Sequence, residues 1–205
     1  ITGTNGKTTS KELIYNCLQK GLSTGYTKGN LNNHIGVPLT ILTITKAHQI
    51  AIIEMGANHI GEIKLLCEIT QPNYGVITNI GLAHLEGFKS LEGIQRAKKE
   101  LYDYIKLSNG SIFINNEDKF LNTISTDIKR ISYGKSGDVA GNIASSIPFI
   151  NINYKGTIIN SNLSGNYQFD NIMLSICIAE YFQIKYVDIV KAISEYTPSN
   201  NRSQI

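Results

Sequence analysis

Apolar runs and helical patterns alternate along roughly the first 135 residues of the chain. The segments 49–55 and 74–80 are apolar runs, which are typical of strands covered on both faces. Elsewhere, apolar residues recur every three or four positions, as on the buried face of a helix. This alternation predicts right-handed crossovers and a mostly parallel sheet flanked by helices.

The same pattern places the individual elements. We predict strands at residues 49–55, 74–80, 110–116 and 130–134, with a short extended piece at 23–27. We predict helices from about Lys7 to Gly21, at 59–69 and at 91–107, with a helical turn or two from Glu117.

The pattern changes near residue 138. Residues 140–165 contain short alternating strands and turn residues without a helical period, which predicts a small antiparallel β annex near 138–165. Two helices are predicted after it, a nearly all-apolar one at 171–182 and an amphipathic one at 186–196. The sequence therefore predicts one α/β domain with a β-rich annex.

Composition narrows the class of protein. The chain has 205 residues, 41% of them hydrophobic, which suffices for one large domain. Its formal charge of +3 comes from scattered basic residues, so we expect no nucleic-acid partner. There is no apolar run of about eighteen residues and no signal-peptide pattern, so we expect no membrane span. Cys17, Cys67 and Cys177 are far apart, which predicts buried free thiols in a cytoplasmic protein.

The chain opens with ITGTNGKTTSKELI, a glycine-containing loop that runs into a helix. Gly3 and Gly6 allow backbone conformations in which amide N–H groups converge on an anion. Lys7 can neutralise phosphate charge, and the Thr8 hydroxyl can ligate Mg²⁺. The spacing is G-x-x-G-K-T, and Ile1 stands where the usual motif has a further glycine. The sequence predicts a P-loop-type nucleotide site.

Two polar residues follow strands that should end beside this loop. Glu54 lies at the end of the strand 49–55, where ligands gather in an open parallel sheet. It can complete the coordination of Mg²⁺ held by Thr8, or it can pair with a nearby amine. His84 follows the strand 74–80 in the same way, so position alone places it near the same cleft.

Lys98 interrupts an apolar helical stripe. The stripe consists of Leu91, Ile94, Leu101 and Ile105, and the spacing requires an inward residue at position 98. A buried lysine is costly unless it is paired or modified, and desolvation lowers its pKa so that the neutral amine can act as a nucleophile. Snorkelling of the side chain past the helix edge is the alternative.

These motifs, in this order, resemble the central ATPase domain of the Mur ligases, which build the peptidoglycan stem peptide. TGTNGKTT is similar to the shortened P-loop of that family, which accounts for the missing first glycine. The resemblance extends over nearly the whole chain, in the stretches GNLNNHIGVPLT, IEMGANHIGEI, TNIGLAHLEGF, AKKEL and NNRSQ. Within the family, these stretches most resemble members that add D-alanyl-D-alanine to UDP-N-acetylmuramoyl-tripeptide.

The resemblance implies two magnesium sites and three catalytic residues: Lys7, His84 and Lys98. Thr8 and Glu54 would hold the first Mg²⁺, and His84 would bind the second. Lys98 matches the lysine that the family carries as a carbamate formed with CO₂, which would turn a buried amine into an anionic ligand near the second metal.

The resemblance also implies the substrate contacts. Asn30 would lie beside the reacting phosphate and the substrate carboxylate. The ATP-binding residues would be Gly3, Thr4, Asn5, Gly6, Lys7, Thr8, Thr9, Gln168, Asn171 and Arg202. Gln168 departs from the family pattern, which usually has an asparagine beneath the adenine.

The implied reaction is ATP-dependent amide formation. The γ-phosphoryl group would pass to the carboxylate of UDP-N-acetylmuramoyl-tripeptide, and the amine of D-alanyl-D-alanine would attack the resulting acyl phosphate. Family members also have an N-terminal UDP-sugar-binding domain and a C-terminal domain. We therefore expect residues 1–205 to be a fragment that acts as part of a monomer and cannot complete the ligation alone.

Three alternatives stay open at this point. The first is another Mur-type ligase or folylpolyglutamate synthase, to which the same motifs would apply. The second is a nucleotide-binding module without ligase activity, although intact Lys7, Glu54 and Lys98 argue against it. The third is a P-loop kinase or GTPase, in which Lys98 and the β annex have no evident use.

Overall fold

The computed structural model describes residues 1–81, 88 and 90–198 of the chain. Its helices are α1 (Lys7–Leu18), α2 (Gly36–Thr43), α3 (Glu62–Thr70), α4 (Leu91–Leu107), α5 (Lys119–Thr123), α6 (Gln168–Tyr181) and α7 (Tyr186–Glu195). Its strands are β1 (Thr24–Tyr26), β2 (Ile50–Ile52), β3 (Tyr74–Val76), β4 (Ser111–Asn115), β5 (Lys129–Gly134), β6 (Val139–Ala140), β7 (Asn142–Ser145), β8 (Asn151–Tyr154) and β9 (Thr157–Asn160).

The first two residues join two groups of parallel strands. β1 pairs with β2, and a four-stranded group has the order β3-β4-β5-β6. The backbone N of Ile1 donates to Ile53 O at 2.7 Å, and Met55 N donates to Ile1 O at 2.8 Å. On its other side, Thr2 forms a parallel bridge with Ile77. Residues 1–2 therefore act as a central strand, and the predicted parallel sheet is confirmed.

Helices cover both faces of this sheet. Side chains of α1, α6 and α7 form one core, and side chains of α3 and α4 form the other. Strand β4 contributes to both, because Phe113 packs in the first core while Ile112 and Ile114 pack in the second. Since successive side chains of a strand point to opposite faces, the central residues of a strand covered on both sides are apolar on both faces.

The antiparallel annex starts later than the sequence suggests. β7, β8 and β9 form a three-stranded antiparallel sheet whose buried isoleucines join the first core. β6 lies within the predicted annex but pairs in parallel with β5. The Asp138 carboxylate accepts hydrogen bonds from Ser132 N and Oγ, which bring the chain back beside β5. The annex thus extends from Asn142 rather than from 138.

Helix α2 is absent from the sequence prediction. Asn33 Oδ1 accepts hydrogen bonds from the backbone N of Ile35 and of Gly36, and so supplies the start of this helix. Pro38 lies in its first turn, where the missing N–H of proline is tolerated. The glycine and proline of this segment are therefore compatible with a helix.

The remaining expectations concern cysteines and membrane spans. Cys17, Cys67 and Cys177 are free and buried, as predicted. None of the helices in the described ranges is long and apolar enough to cross a membrane.

Candidate functional site

The loop at residues 3–6 requires glycine at two positions. Gly3 has φ 137° and Gly6 has φ 78°, values that favour glycine. A Cβ atom on Gly3 would overlap the side chain of Thr78, and one on Gly6 would lie 2.5 Å from Asn171 Oδ1. The loop therefore lies directly against α6 and the segment that follows β3, and it leads into the N-terminus of α1, whose dipole favours an anion.

Lys7 crosses the loop that precedes it. Its Nζ donates hydrogen bonds to Gly3 O at 2.8 Å and to Thr4 O at 3.0 Å. The ammonium group thus lies over the loop, where it can meet a phosphate group with little rearrangement.

Glu54 is the centre of a buried polar cluster. Its side chain is 1% exposed, and its Oε1 accepts from Thr8 Oγ1 at 3.2 Å and from Asn32 Nδ2 at 2.8 Å. Its Oε2 lies 3.2 Å from the Nζ of Lys11, which is fully buried. The carboxylate therefore pairs with an amine, which is one of the two sequence-based alternatives, while its metal role stays a prediction.

Lys11 is the residue of this cluster that the sequence analysis missed. It lies three positions before Ile14 and seven before Leu18, which are both in the buried core of α1. The spacing argument that singled out Lys98 would also have placed Lys11 on the buried face.

A cavity of about 390 Å³ brings several of the predicted residues together. Its lining includes Lys7, Asn30, Glu54 and Lys98. A neighbouring cavity of about 640 Å³ lies along the loop and α6 and is lined by Thr4, Asn5, Gly6, Lys7, Thr8, Thr9, Asn79, Tyr167, Gln168, Asp170 and Asn171. Since Thr4 and Lys7 line both cavities, the loop separates two adjoining compartments of one cleft.

Lys98 is buried on the inner face of α4. Its side chain is 3% exposed, and its Nζ lies 5.8 Å from the centroid of the Phe88 ring. Burial, with a smaller contribution from the charge of Lys7, lowers the pKa of Lys98 from its usual 10.5 to about 8. The next residue, Lys99, forms an ion pair with Asp103 on the surface. The side chain of Lys98 therefore lines the cleft and does not snorkel to solvent.

Two amide side chains line the second compartment. Asn171 Oδ1 accepts from Ser10 Oγ at 2.9 Å, and Asn171 Nδ2 donates to Gln168 Oε1 at 2.7 Å. Gln168 is fully buried, so its longer side chain is accommodated by pairing with Asn171.

Two predicted residues, His84 and Arg202, lie outside the described residues. Within the described ranges, no group of three or more His, Cys, Asp or Glu residues is arranged to hold a metal ion. The oxygen donors of Glu54 and Thr8 are 3.2 Å apart and are of the kind that Mg²⁺ prefers. They fit a magnesium site that is completed by phosphate and water oxygens.

Comparison with known proteins identifies the family. The UDP-N-acetylmuramoyl-tripeptide--D-alanyl-D-alanine ligase of Bacillus subtilis (strain 168) is 36% identical over 198 residues, covering 95% of this chain and 43% of that protein. The crystal structure of MurF from Acinetobacter baumannii has a TM-score of 0.88 and 33% identity, and the match covers 98% of this chain and 46% of that one.

A third similar protein was solved with a nucleotide. The MurF ligase from Thermotoga maritima in complex with ADP has a TM-score of 0.80 and 29% identity, and the match covers 97% of this chain and 48% of that one. The chain thus spans less than half the length of each of these proteins. A family model described as the Mur ligase middle domain matches residues 1–179. The chain belongs to the Mur ligase family.

Proposed function

We propose that this chain is the ATP-binding middle domain of a ligase that adds D-alanyl-D-alanine to UDP-N-acetylmuramoyl-tripeptide. The observation that carries the proposal is the convergence of Lys7, Glu54, Lys98 and Asn30 on one cavity beside the glycine loop. The names of the similar proteins favour this acceptor and this amine over those of other Mur-type ligases.

The triphosphate of ATP would lie along the loop. Gly3 and Gly6 bring the backbone close to the phosphates, and Lys7 would exchange its carbonyl partners for phosphate oxygens. The adenine would enter the compartment that Gln168 and Asn171 line, with Arg202 as a further nucleotide contact. A similar protein from Thermotoga maritima was solved in complex with ADP, which supports nucleotide binding by this family.

Glu54 and Thr8 would hold the first Mg²⁺, and His84 would contribute to a second site. Magnesium neutralises phosphate charge, so that an anionic nucleophile can approach. The geometry that supports the first site is the 3.2 Å separation between Thr8 Oγ1 and Glu54 Oε1.

Lys98 would carry a carbamate. Its neutral amine attacks CO₂, a C–N bond forms and the nitrogen loses a proton, which leaves an anionic carbamate in the cleft. Burial beside Lys7 favours both steps, because it lowers the pKa of Lys98 to about 8 and places the resulting anion near a cation.

The reaction would proceed in two displacements. The terminal carboxylate of the tripeptide, positioned by Asn30, attacks the γ-phosphorus of ATP, and ADP leaves. The amine of D-alanyl-D-alanine would then attack the carbonyl carbon of the acyl phosphate and lose a proton, and phosphate would leave as the amide bond forms. Lys7 would stabilise the charge that develops on the transferred phosphoryl group, so the contribution of this domain is largely electrostatic.

We further propose that the chain acts as part of a longer, monomeric and cytoplasmic enzyme. Free buried thiols suit a reducing compartment, and the similar proteins are more than twice as long. The full-length protein should form the UDP-linked pentapeptide from ATP and both substrates, whereas residues 1–205 alone should not. A full-length protein that bound ATP without forming product would instead favour a nucleotide-binding module.

The decisive site experiment is carbon-13 NMR of the protein in labelled bicarbonate. A carbamate signal should be present in the wild type, lost in Lys98→Ala and retained in Lys99→Ala, since Lys99 is its exposed neighbour. A signal that survived in Lys98→Ala would refute the role given to Lys98.

A further inference from the structure

A second lysine of α1 is buried at the cleft and has no role in the function proposed above. Lys11 lies one helical turn after Lys7, and its side chain is fully buried. Its Nζ lies 3.2 Å from Glu54 Oε2 and donates a hydrogen bond of 2.9 Å to Gly29 O. Burying an ammonium group is unfavourable unless it is paired, and these two contacts offset that cost.

The contact with Glu54 orients the carboxylate. Within the described residues, Glu54 Oε2 accepts no hydrogen bond of normal geometry, and the Lys11 ammonium is its charged neighbour. The other oxygen, Oε1, faces Thr8 and Asn32. With Lys11 beside one oxygen, the plane of the carboxylate is fixed so that the other oxygen faces the Thr8 hydroxyl, whereas an unrestrained carboxylate could rotate out of this plane.

The contact with Gly29 fixes a loop. The segment 28–33, here called the Asn30 loop, borders the cleft, which Asn30, Asn32 and Asn33 line, and Gly29 within it has φ 54°. Lys11 binds this loop at Gly29 O, and its other end is held by a hydrogen bond of 2.7 Å from Gly56 N to Asn32 O. Lys11 therefore links α1, the end of β2 and the Asn30 loop through one ammonium group.

We propose that Lys11 is a positioning residue that fixes the Glu54 carboxylate and the Asn30 loop relative to the glycine loop. The inference rests on the proposed function in one respect, which is the metal role of Glu54. The link to the Asn30 loop stands on the contacts alone.

The first test measures Mn²⁺ binding to the full-length protein with ADP, by electron paramagnetic resonance. Lys11→Met should weaken Mn²⁺ binding at least tenfold, because Glu54 loses its fixed orientation. The affinity for ADP without metal should change less than twofold. General destabilisation would weaken both kinds of binding, so it would not produce this difference between Mn²⁺ and ADP. Lys20→Met is the matched control, since Lys20 lies just after α1 and pairs with Glu195 on the surface. It should leave both affinities within twofold of the wild type.

A second test avoids the buried unpaired carboxylate that Lys11→Met creates. In Lys11→Met/Glu54→Gln both charges are removed, whereas in Glu54→Gln the bond from Lys11 to Gly29 persists. Amide hydrogen exchange in residues 28–33 should be at least tenfold faster in the double variant than in Glu54→Gln. Equal exchange in the two variants would overturn the link to the Asn30 loop.

The outcomes separate this inference from the proposed function. If the wild type bound no Mn²⁺, or if Glu54→Gln bound it equally well, the metal role of Glu54 would be wrong, and the orienting role of Lys11 with it. If Glu54→Gln weakened binding and Lys11→Met did not, Lys11 alone would be misassigned. Tighter Mn²⁺ binding in Lys11→Met would also overturn the inference, because it would make Lys11 a competitor of the metal.

Discussion

The hydroxyl of Ser10 donates a hydrogen bond of 2.9 Å to Asn171 Oδ1, and this bond joins the helix after the glycine loop to α6. Asn171 in turn donates to Gln168 and lies against Gly6. One amide thus connects the loop, α1 and α6, so the nucleotide compartment and the packing of the two helices depend on the same side chain.

Replacing Asn171 should therefore affect stability and nucleotide binding together. Asn171→Ala leaves buried polar groups of Ser10 and Gln168 without this partner, which should lower the free energy of unfolding by about 1–3 kcal/mol. Urea denaturation measures the loss of stability, and calorimetric titration with ADP measures the loss of nucleotide affinity.

The control for this prediction is an amide that lines neither compartment of the cleft. Asn162 Nδ2 donates to Ser194 O and to Tyr196 O, so Asn162→Ala also removes amide hydrogen bonds. It should destabilise the protein without changing affinity for ADP. If Asn171→Ala behaved in the same way, Asn171 would have no part in nucleotide binding.

Gly6 offers a test of the close approach between the loop and α6. Gly6→Ala should cost more than the 1–2 kcal/mol of a left-handed alanine, because its Cβ would lie 2.5 Å from Asn171 Oδ1. We expect nucleotide binding to be lost. Gly61 also begins a helix with positive φ, but a Cβ there has open space.

Gly61→Ala should consequently show the backbone strain alone, with nucleotide affinity unchanged. Comparison of the two variants by urea denaturation and ADP titration isolates the steric contact. Equal losses of stability in the two would contradict the tight packing at Gly6.

The lowered pKa of Lys98 makes stability depend on pH. Burial lowers this pKa from the ordinary 10.5 to about 8, so between these values the unfolded chain binds the proton and the folded protein does not. Stability should therefore rise as pH increases from 8 to 10.5, and the full cost of burying the charge applies below pH 8.

Lys98→Met removes the free-energy cost of burying the charged ammonium group while keeping a side chain of similar length. In bicarbonate-free buffer the variant should be more stable than the wild type at pH 7, by on the order of 3 kcal/mol, with the difference shrinking toward pH 10.5. Lys99→Met, at an exposed position, should show no such pH-dependent difference. A Lys98→Met protein that was less stable at pH 7 would show that the ammonium is well compensated in the fold.

The three thiols should be inert in the native protein. Burial raises the pKa of Cys17, Cys67 and Cys177 to about 12 in each case. Since the thiolate is the nucleophile, an aromatic disulfide reagent should react slowly with native protein and rapidly with all three thiols in denaturant. Fast reaction of one thiol before unfolding would indicate local opening at that cysteine.

Patterns with a local physical cause could be predicted from the sequence. β4 is apolar because both of its faces are covered, and Lys98 is buried because helical spacing allows no other position for the stripe. That spacing places Lys98 on the inner face of α4, whereas the structure shows that its side chain lines the cleft, and its carbamate stays a prediction.

The features that the sequence analysis did not predict depend on contacts between distant segments or on individual side chains. Helix α2 starts on a cap from Asn33 that the composition of the segment does not reveal. The pairing of Lys11 with Glu54 joins residues 43 positions apart (54 − 11), and it appears only when α1 is placed against the end of β2. Local propensity cannot report such a contact, because its stabilisation comes from tertiary packing.

The bridge formed by residues 1–2 also affects the cooperativity of unfolding. Ile1 bonds to both neighbours of Glu54, namely Ile53 and Met55, while Thr2 bonds to Val76 and Thr78 on the other side. These backbone bonds join the β1–β2 pair to the four-stranded group, and the glycine loop begins at the next residue. A ligand that immobilises the loop would therefore also strengthen the bridge between the two groups of strands. The bound nucleotide would then stabilise the contact between the two groups of strands, and its binding would make them unfold as one unit.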